Sequence, residues 1–206
     1  MLNLNNMSFL YKIFFILLLS TTPLLADEAS DWLGKQIDVI LDAYKNTAIS
    51  KVDRFNLIED SISKNFAGKG IGKFVVGKAY SSAPKKTQEE YILLFKKHLA
   101  LNIASIMQGY SNQEYKLINS KYDEKNKVNL INMEIKSDTS KIKVSWRIKK
   151  HKDRFYVIDF IVADISLIQT KRSEFNSMLK KIDGNLSELN DILRLQNESS
   201  YSKIIN

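Results

Sequence analysis

Few side chains in this sequence are placed for covalent chemistry. The run Gly68-Lys69-Gly70-Ile71-Gly72-Lys73 has the composition of a phosphate-binding loop. Such a loop needs four residues between its first glycine and Gly-Lys, then Ser or Thr on magnesium. Here three residues separate Gly68 from Gly72 and Phe74 follows the lysine, so the run is read as a flexible hinge between helices. The two histidines, His98 and His151, stand in no HxxxH or HExxH arrangement. Both are expected as lining or surface residues, because a metal ligand or base needs a partner. Glu89 and Glu90 are adjacent, which points them apart on a helix and argues against an acid/base pair. With no cysteine and no G-x-S-x-G, thiol nucleophiles, zinc–thiolate sites, disulfides and the usual serine elbow drop out. No catalytic residue, metal or cofactor is expected.

Charge is the next candidate for function. The chain has 206 residues, 44% of them apolar, and a net charge of +8, well inside globular composition. Lys141 to Arg154 holds seven basic residues and one acid, Asp153. Two readings stand: a solvated sheet face that lysine protects from edge pairing, or a docking patch for an acidic partner or anionic bilayer.

The compartment follows from the N-terminus. Lys12, the apolar run Ile13 to Leu19 and Ala26 make a positive n-region, a short h-region and a small residue at the cut. A retained anchor needs about 20 apolar residues, and here Thr21, Thr22 and Pro23 end the run. Residues 1–26 are therefore expected to be a cleaved export signal, 27–196 a single domain, and 197–206 a polar, frayed tail. Outside the cytoplasm the abundant anions are phospholipid headgroups, so lipid replaces nucleic acid as the expected partner.

The elements must then be found. Leu33, Ile37, Ile40, Leu41 and Tyr44 recur at helical spacing, as do Phe55, Ile58, Ile62 and Phe66. Pro84 and a capping box of Thr87 with Glu90 announce a long helix. Its stripe Tyr91, Leu94, Phe95, His98, Leu99, Ile103 and Ile106 is widened by Ile92, Leu93 and Leu101, so this helix must be covered from several directions. From Glu114 the period becomes two, giving strands at 114–122, 128–136, 141–149 and 155–163 joined by short polar turns. Helical spacing returns with Phe175, Met178, Leu179 and Ile182, breaks at Asp183-Gly184, and resumes with Leu186, Leu189 and Leu193. The fold class is α+β: a curved antiparallel sheet of about four strands with helices over one face.

Inward residues such as Trp146, Phe155, Phe95, Leu99, Ile103 and Met133 read as core. The sheet and helix together nevertheless offer more apolar surface than tight packing needs, which hints at a cavity. Two stretches resemble a known family. Val75-Val76-Gly77-Lys78-Ala79-Tyr80, followed by Tyr91, Phe95 and Leu99, looks like the Leu-Gly-x-x-Trp segment and F-x3-F-x3-L helix of the MlaC, or toluene-tolerance, periplasmic phospholipid carriers. Phe155-Tyr156-Val157-Ile158-Asp159 resembles their W-x-V-x-D strand, and Ser166-Leu167-Ile168 with Arg172 and Phe175 resembles their turn into a helix. Asp164 departs from the family's usual glycine and Tyr80 from its tryptophan.

The resemblance implies a cone similar to nuclear-transport-factor-like folds, holding acyl chains in an apolar cavity. It also implies a soluble, monomeric periplasmic shuttle. Its partners would be phospholipid, an outer-membrane lipoprotein–porin complex, and an inner-membrane ABC transporter with its membrane-anchored substrate-binding subunit, together maintaining lipid asymmetry. The expected lipid-binding residues are Val76, Phe95, Leu99, Ile103, Ile131, Met133, Ile135, Val144, Trp146, Val157 and Leu167. Gly68–Gly72 and Asp164–Leu167 are the expected moving parts, and Asp159 is expected to pair with Arg172. The alternatives are an enzyme on the same fold with Asp159 as a cavity base, and a periplasmic chaperone or interaction protein.

Overall fold

The computed structural model describes residues 24–110, 113–136 and 141–206, so most of the expected export signal lies outside the described residues. Among the described residues five helices precede the sheet: α1 (Leu24–Lys45), α2 (Lys51–Asn65), α3 (Gly68–Val76), α4 (Lys78–Ser82) and α5 (Lys85–Met107). Five strands follow, β1 (Glu114–Asp123), β2 (Val128–Lys136), β3 (Lys141–His151), β4 (Arg154–Val162) and β5 (Ile165–Ser166), then α6 (Leu167–Lys181) and α7 (Leu186–Ile205). The strands pair as an antiparallel meander in the order β1-β2-β3-β4-β5. Register shifts at Leu117/Asn119 and Arg147/Ile148 insert bulges, which bend strands and curl the sheet.

Helix α5 is the hub. It packs against α2, α3 and α7, and Tyr91, Phe95, Leu99, Ala100 and Ala104 are fully buried. Phe95 stacks on Tyr91 at 5.7 Å and meets Phe175 of α6 edge-on at 5.8 Å. Two asparagines of α7 tie it to α5: Asn190 donates to the Thr87 carbonyl at 3.1 Å and Asn197 to that of Leu94 at 2.9 Å. Buried amides held this way fix the register of two helices, because each would be costly unpaired.

Several expectations need correction. The glycine run is helical: α3 begins at Gly68, where lysines and glycines were expected to make a hinge. Its glycines allow close approach, since a Cβ on Gly72 would sit 2.8 Å from Ile92 Cδ1 and 3.2 Å from Phe95 Cδ1. The Tyr91 hydroxyl donates to the Gly72 carbonyl at 3.1 Å across that contact. The capping box does not form, because the helix starts earlier, on Pro84 as N-cap without a side-chain bond. Glu90 instead pairs with Arg194 of α7. Leu93 is exposed rather than packed. The expected tail is helix: α7 runs to Ile205 and buries Asn197 and Ile204. Phe66 leaves α2 as its C-cap and bridges to Val157 of β4.

Asp159 does not pair with Arg172. The buried carboxylate accepts from Ser166 Oγ at 2.7 Å and from the Ile168 amide at 3.3 Å, with Arg147 at 3.9 Å. Arg172 donates to the Phe74 carbonyl at 2.7 Å and lies over the Phe74 ring. The β4–β5 turn is therefore stapled to the start of α6, at odds with a freely moving Asp164–Leu167 segment. Asp164 takes φ +65° and Ala163 φ +47° there, a conformation that Asp tolerates better than most residues. Replacing Asp159 with Ala strands a buried hydroxyl and an amide at a helix start. It is expected to cost about 2 kcal/mol and lower the melting temperature by about 6 °C in calorimetry, with lipid content unchanged.

Candidate functional site

The sheet's inner face and the helices enclose a partly open cavity of about 830 Å³. One wall is the sheet, with Met133, Ile135, Val144, Trp146, Val157 and Phe160. Trp146 and Phe160 stack at 5.2 Å to make its broad floor. The facing wall is α1 and α2, through Trp32, Ile37, Ile40, Ile58 and Ile62, and the end of α5 closes one side with Ile103 and Met107. Both tryptophans of the chain are thus in the wall.

The mouth is located by residues that both line the cavity and face solvent. Ile106 is 63% exposed, Ile142 42% and Ile165 65%. These apolar side chains carry the oily lining out to the rim, where the α5 C-terminus, the start of β3 and the β4–β5 turn converge.

Helix α1 is held by buried Ala29 and Leu33 in the core and by polar bonds to the sheet and to α2. Tyr115 of β1 donates to Asp38 at 2.6 Å, Asn65 of α2 to Gln36 at 2.7 Å, and Lys150 of β3 to Glu28 at 2.9 Å. Burial and the Asp38 carboxylate both push the Tyr115 phenol up, so it stays a protonated donor. Among the described lining residues none is Asp, Glu, His, Lys or Arg. The indole nitrogen of Trp146 and the hydroxyl of Tyr110 are buried without a partner among the described residues. No group of three or more His, Asp or Glu side chains there could hold a metal.

Seven of the eleven expected residues line this space: Ile103, Met133, Ile135, Val144, Trp146, Val157 and Leu167. Four do not. Phe95 and Leu99 point into the α5 packing, Val76 is buried in the core beside them, and Ile131, on the same sheet face as Met133, is fully buried in the helix-packed core. The physical reason is position along α5: its first turns are sealed by other helices and its last turns alone border the cavity. The contributions of α1 and α2 went unassigned, although the helical spacing of Ile37, Ile40, Ile58 and Ile62 marked an inward face.

The sequence matches the model of the MlaC protein family over residues 35–194. The chain belongs to the MlaC family. No curated protein matches its sequence. Among solved structures, this MlaC-family chain is similar to a phospholipid-binding protein from Ralstonia solanacearum solved in complex with a phospholipid. The two share 16% identity with a TM-score of 0.72, over 85% of this chain and 98% of the other. At that identity the likeness speaks for the MlaC-family fold, an α+β domain with a curved, unclosed antiparallel sheet.

Proposed function

We propose that this chain is a phospholipid carrier that takes acyl chains into the cavity and shuttles them through the periplasm, between an outer-membrane lipoprotein–porin complex and an inner-membrane ABC transporter. The observation that carries the reading is the cavity: 830 Å³ of space whose aliphatic and aromatic lining continues to an open rim. Pockets for whole small molecules run from about 300 to 1,000 Å³, and an aliphatic wall selects aliphatic cargo. Family membership and the ligand of the Ralstonia protein support a phospholipid as that cargo.

Energetics favour carriage over free exchange. Burying a chain of about sixteen carbons at about 0.8 kcal/mol per methylene gives on the order of 12 kcal/mol gross. Escape into water is then slow, and cargo leaves only where a membrane or partner protein continues the apolar path. No carboxylate, imidazole or amine is among the described lining residues, and Asp159, the candidate base, faces Ser166 and Ile168. Binding without chemistry is the reading the wall supports. The export signal expected from the sequence at 1–26 would suit this location.

Native mass spectrometry of gently purified protein, with lipid extraction, tests the proposal. Phospholipid near one per chain is expected. Protein that is empty after expression in a lipid-replete periplasm, and takes up none from vesicles, overturns it.

A further inference from the structure

The free positive charge of this molecule is not confined to the hairpin where the sequence concentrates it. In the β3–β4 hairpin four of the seven basic side chains are engaged, leaving Lys143, Lys149 and Lys152 exposed without an ion pair among the described residues. Lys141 pairs with Glu134, Arg147 with Asp159 and Lys150 with Glu28, while Arg154 bonds the Lys64 carbonyl and covers Tyr156.

A second basic segment is left largely unpaired. Residues 61–88 contain Lys64, Lys69, Lys73, Lys78, Lys85 and Lys86 and no acid. Lys64 and Lys85 pair with Asp60 and Glu89 at the two ends. Lys69 and Lys73, one turn apart on α3, and Lys78 at the start of α4 are exposed, and none makes an ion pair among the described residues. The Lys73 ammonium lies over the Tyr80 ring, 5.2 Å from its centre. In their midst Phe74 is 42% exposed, with the Arg172 guanidinium 4.3 Å above its ring. Glu174, the nearest acid on α6 in sequence, is taken by Lys171.

We propose that this α3–α4 face is an electrostatic docking surface for an anionic phospholipid bilayer. The occupant is argued from charge and residue type. Lysine is depleted at protein–protein interfaces because its hydrated point charge and mobile stem fit fixed partners poorly. A diffuse anionic surface needs no fixed geometry, and each nearby lysine contributes additively. One exposed aromatic among lysines suits the headgroup layer, where the ring enters and the amines stay wet. Nucleic acid would call for stacking platforms and free arginines, whereas Phe74 is single and Arg172 is tied to the Phe74 carbonyl. The surface deepens the carrier reading by supplying reversible contact with a donor or acceptor membrane, but its existence is tested independently.

The test is sedimentation of the full mature chain with vesicles of one-third phosphatidylglycerol in phosphatidylcholine. Binding is expected at low salt, lost at high salt as the Debye length shrinks, and absent on pure phosphatidylcholine. Combining Lys69→Gln, Lys73→Gln and Lys78→Gln is expected to weaken partitioning on the order of 100-fold. Lys143→Gln, Lys149→Gln and Lys152→Gln, with the same net charge, should weaken it far less. Phe74→Ala is expected to cost about tenfold. Equal losses in the two triple variants overturn the proposal, as does salt-insensitive binding or binding to RNA without binding to vesicles. Lipid content measured on the same α3–α4 variant separates the two readings. Retained cargo with lost docking is expected, whereas empty wild-type protein that still sediments on vesicles counts against carriage and leaves the docking surface standing.

Discussion

Protein stripped of its lipid is expected to melt about 10 °C below the loaded form. A vacant apolar cavity leaves its lining atoms without packing partners on one side, and that lost contact destabilises the stripped form relative to the loaded one. Water is a poor substitute, because each buried molecule wants two to four polar partners and this wall offers few. Ligand at about 1,000 times its dissociation constant stabilises by about 4 kcal/mol, and each kcal/mol is worth about 2–4 °C in a chain of this size. Calorimetry before and after organic extraction measures the shift directly. Val144→Trp, which fills part of the cavity from β3, should shrink both the lipid content and the shift. A stripped protein that melts with the loaded one would mean that the space closes without cost.

Acid should weaken the fold through His98, independently of the cargo. Burial holds this imidazole down to about 4 from its usual 6.5, the nearby Lys171 charge adds to the effect, and the Asn197 bond and Glu174 oppose it. Its Nδ1 lies 3.2 Å from Asn197 Oδ1 and its ring 5.5 Å from Phe175, while Nε2 is buried without a partner among the described residues. The sign follows from the depressed value. Between pH 6.5 and 4 the unfolded chain takes up a proton that the folded chain refuses, so stability is intact above 6.5 and falls as the pH drops. A separation of that size is worth about 3 kcal/mol by pH 4. Denaturant melts across this range should show the loss, and His98→Gln should remove that part of it while carboxylate contributions persist. An unchanged profile in the variant would place the acid sensitivity elsewhere.

The sheet was legible because its signal is local. Lys141 to Lys149 alternates cleanly, and polar turns separate runs of the right length. Strand β5 has only two residues, too short to carry a period, and it forms because Asp159 holds Ser166 at the next turn. The glycine run misled for a physical reason. Glycine lowers helix propensity, yet at Gly72 the gain from bringing α3 against α5 prevails, and that contact is tertiary. The cavity was legible as excess apolar surface but not as a place. Phe95 and Met133 look alike in sequence, and only the packing of α3, α6 and α7 around α5 decides that one is sealed and the other borders the void. Pairing partners were least readable of all. Asp159 and Arg172 carry complementary charges at a plausible junction, but Ser166 lies closer to the one and the Phe74 carbonyl to the other.

The placement of the indoles gives the molecule a built-in optical reporter. Trp32 and Trp146 are the chain's whole complement of tryptophan and stand on opposite walls of one chamber. All indole emission therefore originates beside the cavity, and loading of the proposed cargo would be followed without a dye. Tails brominated at successive carbons would quench that light by depth, turning the protein's own spectrum into a ruler for how far each one reaches inside.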